Sequence, residues 1–157
     1  GEESFAWSIA GEIIKERQKT SITGTAQLVE VIRRGIPAPV MRKMNGHPAR
    51  KVFQALRIAV NDELGALEQG LQESFSLLAP EGRLIVVTYH SLEDRIVKHQ
   101  FKKWVDAGEG VLEPRKSLVP DEAEIESNPK SRSARLRGFL KKKVENAEGR
   151  IGPWRRF

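Results

Sequence analysis

The chain has 157 residues, 39% of them hydrophobic, with 27 Lys+Arg against 21 Asp+Glu and no cysteine, which allows one domain, or one and a small part, with a modest core. Lack of Cys excludes a disulfide framework, a thiolate zinc site and a cysteine nucleophile; no apolar run nears the ~18 residues of a membrane span, and the start Gly1-Glu2-Glu3 is unlike a signal peptide, so a cytoplasmic setting without a membrane partner is expected. Charge is uneven: Lys130–Phe157 holds ten Lys/Arg and two Glu, a net of +8, while residues 1–129 carry a net of −2, a pattern that fits either a polyanion partner such as nucleic acid or a solvated tail.

Phe5, Ile9 and Ile13 recur at helical spacing and predict an amphipathic helix over 4–18. A second helix is predicted at 25–34, with Leu28, Val31 and Ile32 as its stripe and Arg33-Arg34-Gly35 as its end. Ile36-Pro37-Ala38-Pro39 cannot continue it, and 36–47 reads as a basic loop. From Pro48 onward, apolar residues step by three or four from Phe53 to Leu78. One helix of that length would run about 45 Å. Gly65, Gly70 and a possible restart at Asn61 or Asp62 predict two helices instead, 48–61 and 63–78.

Pro80-Glu81-Gly82 turns the chain into Arg83–Tyr89, apolar on both faces and rich in β-branched residues. This is the pattern of a strand covered on both sides in a parallel α/β sheet. Ser91 reads as the N-cap of a helix over 92–105, with Asp94 at N3. The stretch 106–129 is weakly patterned. A short strand is read at 114–119, a helical turn or two at 121–127, a last strand at 133–140, and a basic tail at 141–157.

Chemistry concentrates at the carboxyl end of the 83–89 strand, where open α/β sheets bind ligands. His90, Ser91, Glu93, Asp94, Arg95 and Lys98 lie there, beside a helix amino terminus suited to an anion. Ser91 and Asp94 can equally be helix caps. A hydrolase triad of His90, Ser91 and Asp94 is rejected: adjacent side chains diverge, and no G-x-S-x-G elbow is present. The three His (47, 90, 99) show no metal-ligand spacing. Gly108-Glu109-Gly110 reads as a turn. Arg50, Arg57 and Asn61 share a helix face that either holds phosphate or is solvated. Arg132, Arg135 and Arg137 can grip phosphates, and Trp154 can stack on a base or pin the tail.

Several strings together carry a resemblance: His47-Pro48-Ala49, Phe53-Gln54-Ala55-Leu56-Arg57-Ile58-Ala59-Val60-Asn61-Asp62-Glu63-Leu64, Leu77–Leu84, His90-Ser91-Leu92-Glu93-Asp94-Arg95-Ile96-Val97-Lys98, and Asn128–Arg137. In this order they resemble the bacterial RsmH (MraW) family, from Gly1 to about Leu140. The resemblance implies an S-adenosylmethionine-dependent methyltransferase acting on the N4 amine of a cytidine in 16S ribosomal RNA of the small subunit. It also implies that this chain is the second half. The family's Gly-rich loop, the acidic end of its second strand and its S-S-P-Q-L-D-like segment are not in the sequence. Pro80-Glu81-Gly82 stands where Pro-Gly-Gly is more usual.

The fold then expected is α/β: the last three strands of a class I (Rossmann-like) methyltransferase sheet, with an N-terminal helical substrate subdomain. Residues 1–46 would belong to that helical insertion, 47–140 to the methyltransferase domain and 141–157 to the tail. His90, Ser91 and Asp94 would border the target base as catalytic residues. Arg57, Asn61, Arg95, Lys98, Arg132, Arg135 and Arg137 would meet RNA. S-adenosylmethionine belongs to the full enzyme, and none is expected on this chain alone. A missing N-terminal half, or a second copy in a homodimer, should cover the open edge of the 83–89 strand. The alternative from another class is a non-catalytic RNA-binding or assembly module.

Overall fold

The computed structural model describes residues 3–143 and divides into two compact units, Gly1–Glu63 and Leu64–Phe157. The first unit is helical: α1 (Ala6–Lys19), α2 (Thr25–Arg34), α3 (Ala38–Lys43) and α4 (Arg50–Asn61). Its core gathers Ile9, Ile32, Ile36 and Ala49, with Phe5, Ile13, Leu28 and Phe53 packed around them. Gly35 lets α1 approach closely: a Cβ there would lie 2.7 Å from the Cα of Ile9. Arg34 and Glu16 join the two helices at 2.6 Å.

The expected basic loop at 36–47 is partly helical. Pro37 is the N-cap of α3 and Pro39 sits at its second position, where a missing N–H costs nothing because the first-turn donors have no partner within the helix. The same prolines that stop α2 therefore start α3. The long apolar stripe breaks where expected. α4 ends at Asn61, and Asp62 takes a left-handed conformation (φ 48°) with its N–H on the Ile58 carbonyl.

The second unit contains α5 (Glu63–Leu77, which begins at the boundary), β1 (Arg83–Thr88), α6 (Ser91–Asp106), β2 (Gly110–Leu112), α7 (Glu122–Ser127), a 3-10 turn (Pro129–Ser133) and β3 (Arg135–Lys141). The fold is mixed α/β, but its sheet is antiparallel rather than the parallel remnant expected. β3 lies between β1 and β2 and runs against both, with Arg83 opposite Leu140 and Leu112 opposite Phe139. The strand read at 114–119 is instead β2, a few residues earlier; only Leu118 bridges to Leu136. Gly110 is what allows β2 to pair there, because a Cβ at that position would run into the Leu140 carbonyl.

One sheet face packs on the helices. Leu71, Val97, Phe101, Trp104 and Phe139 form the core, joined by Leu84, Val86 and Leu112. Phe75 stacks on Trp104 at 4.4 Å, and Trp104 meets Phe139 at 5.2 Å. Lys141 was expected to open the tail but ends β3 instead. Its Nζ donates to the Phe75 and Leu78 carbonyls at 3.0 and 2.8 Å, satisfying the end of α5.

The opposite sheet face is a second departure. β1 was expected to be covered on both sides, yet Ile85 is 58% and Val87 47% exposed. Registration places Leu136 beside Val87 and Leu140 beside Val111 on that same face. The apolar pattern is present, but the described residues do not supply its cover.

Candidate functional site

β1 delivers the chain to Tyr89 and His90, and α6 begins at Ser91. The cap is His90, one residue earlier than expected. Its Nδ1 accepts from the Glu93 N–H at 3.3 Å, while Glu93 Oε2 accepts from the backbone N–H groups of Tyr89 (3.0 Å) and His90 (3.2 Å). The sequence reading favoured Ser over His as a cap by residue type, and so set the box one register late. Because Nδ1 is the acceptor, the neutral ring carries its proton on Nε2. That nitrogen is buried and lies 3.2 Å from Glu93 Oε1, outside hydrogen-bonding geometry; it has no hydrogen-bond partner among the described residues. Ser91 is thus the exposed first residue of α6 rather than its cap.

Asp94 is not a capping residue either. Its two oxygens take a fork of hydrogen bonds from Arg137, Nε at 2.7 Å and Nη2 at 3.0 Å, with both side chains largely buried. The hydrogen bond from Arg137 holds the Asp94 carboxyl below the ordinary carboxylate range. Desolvation opposes this, and the charges of Arg137, Arg135 and Lys98 add to it. The pair ties α6 to β3 directly beside the end of β1.

The second unit thus gathers His90, Ser91, Asp94, Arg95, Lys98, Arg135 and Arg137. Arg135 is exposed, pairs across from Thr88, and lies 3.4 Å from the Ser117 hydroxyl. Arg132 is exposed on the 3-10 turn leading into β3. Arg57 and Asn61 belong to the first unit. There Arg57 forks onto Glu63 (2.7 and 2.9 Å), and Asn61 donates to the same carboxylate at 3.3 Å. Sequence reasoning left Glu93 and Glu63 without roles. A box pattern that admits His as a cap, and a Glu six residues after Arg57 across a helix break, were the signals available. Trp154 lies outside the described residues.

Residues 1–142 match the MraW methylase family. The chain belongs to that family. It is 48% identical over 152 residues to the ribosomal RNA small subunit methyltransferase H of a Paenibacillus species, covering 87% of this chain and 48% of the relative. It is 49% identical over 156 residues to the protein of the same name from Symbiobacterium thermophilum, covering 90% and 49%. This MraW-family chain spans about half the length of the curated relatives it matches.

Proposed function

We propose that this chain is the substrate-side half of an S-adenosylmethionine-dependent methyltransferase that modifies the N4 amine of a cytidine in 16S ribosomal RNA, with the methyl donor held by the other half. The observation that carries the reading is the family match over residues 1–142 at half the relatives' length. The sheet supports it. β1 is an edge strand with a bare apolar face, as a strand is when a further strand and helix layer belong against it. A β1-β3-β2 order with an antiparallel middle strand is consistent with the closing strands of a Rossmann-like methyltransferase sheet.

The groove beside α6 does not fit the donor itself. A sulfonium is a cation, and the groove beside α6 is lined by Lys98, Lys102, Arg115, Lys116 and Arg137. The chain's own part is positioning. A cytidine lifted from its stack reaches the His90–Ser91 corner, which the capping box holds rigid. Asp94 stays ionised against Arg137 and anchors that corner. Arg95, Lys98, Arg132 and Arg135 steady phosphates. Arg57 and Asn61 act through Glu63, fixing the end of α4.

The test uses the chain alone and the chain mixed with the N-terminal half of the Symbiobacterium thermophilum relative. Each is incubated with methyl-labelled S-adenosylmethionine and small ribosomal subunits. Transfer is expected only in the mixture, and is lowered about 10- to 100-fold by His90→Ala. Donor binding or transfer by the 157 residues alone overturns the reading. Ribosomal RNA binding with no transfer in the mixture favours the assembly-module alternative.

A further inference from the structure

We infer that the groove between α6, β2 and the segment 114–117 is a track for the phosphodiester backbone of single-stranded RNA, leading away from the His90–Asp94 corner. The inference rests on the ribosomal RNA reading above and extends it to residues not otherwise assigned. The groove is a cavity of about 470 Å³, within the size range of ligand pockets. Asp94, Lys98 and Lys102 fall at i, i+4 and i+8 on α6, so the stripe runs about 12 Å from the Asp94–Arg137 pair. Arg115 and Lys116 line the groove with them from the segment after β2. All four cations are exposed.

Among the described residues, the two carboxylates nearest the groove in sequence are already engaged. The carboxylate of Asp94 is taken by Arg137, and that of Glu113 by Arg83 at 2.7 Å. Lys102, Arg115 and Lys116 make no ion pair among the described residues. Leu112 and Pro114, both partly exposed, line the groove with the cations. A duplex keeps its bases inside and would leave that apolar surface unused. A single strand offers both the phosphates for the rim and sugar or base faces for the floor. The register of α6 makes the track continuous with the corner, so a nucleotide held there has its neighbours on the cations.

The experiment measures fluorescence anisotropy of a short labelled single-stranded RNA on the full chain, across a salt series. The comparison is a triple variant, Lys102→Ala, Arg115→Ala and Lys116→Ala, whose unchanged circular dichroism controls for folding. Three lost phosphate contacts should lower the slope of log affinity against log salt by about 2, and weaken binding roughly 50-fold at ~0.15 M salt. An unchanged slope and affinity in the triple variant, while Arg132→Ala with Arg135→Ala weakens binding, overturns the track and leaves the RNA reading standing. No RNA binding by the unaltered chain at low salt overturns the RNA reading and the track with it. Equal competition by an acidic peptide overturns the assignment to RNA.

Discussion

Asp94 and Arg137 are 43 residues apart, and their fork decides how the candidate site behaves. The folded Asp94 carboxyl has a lowered pKa, so on acidification the unfolded chain takes up the proton first. The pair's contribution is therefore fully present above about pH 4 and is lost as pH falls from there through the folded value. Asp94→Asn should cost about 1–2 kcal/mol in urea unfolding at pH 7 and flatten the loss of stability as pH falls below about 4. An unaltered acid limb in the variant would show that the pair does not carry it. His90 makes a second residue-scale prediction. His90→Asn should hold stability near the unaltered value, because Asn is a good N-cap, while His90→Ala loses about 1 kcal/mol. Equal loss in both would mean that the imidazole matters for more than its cap.

Single backbone positions decide whether the elements fit. Glu81, in the turn before β1, sits at φ 61°, where an L side chain is strained. Glu81→Gly should stabilise the chain by about 0.5–1 kcal/mol in thermal or urea unfolding, the relief of strain exceeding the added freedom of the unfolded chain. Gly138 is the converse: a Cβ there would strike the Glu113 carbonyl. Gly138→Ala should destabilise by roughly 1–3 kcal/mol, read as a lower urea midpoint at constant slope. The helices were legible because their apolar residues recur at three and four. α2 matches the predicted 25–34, and the break after Asn61 falls where cap chemistry put it. Less was legible where one residue type serves two purposes. Pro37 and Pro39 stop one helix and start another, and His90 caps where Ser91 had the better propensity. β2 escaped notice because three residues carry too little pattern to stand out from a turn.

For the whole molecule, the second unit presents a bare face of Ile85 and Val87 with an unpaired β1 edge among the described residues. Such surface promotes association. The isolated chain should sediment with a concentration-dependent mass and bind a hydrophobic dye. Ile85→Lys with Val87→Lys should lower both signals without loss of helical circular dichroism. A monomer that binds no dye would contradict it.

The amino-acid sequence by itself determined most of the helices, the presence of a strand after Gly82, the family likeness, and the grouping of His90, Ser91, Asp94, Arg95 and Lys98, because these follow from spacing along a few turns of chain. Only the tertiary structure decided that the sheet is antiparallel, that Asp94 belongs to Arg137 and Arg57 to Glu63, and that Lys102 faces the same groove as Arg115 and Lys116. Those pairings join residues across turns, helix breaks and sheet registers, where local periodicity carries no information and packing chooses the partner.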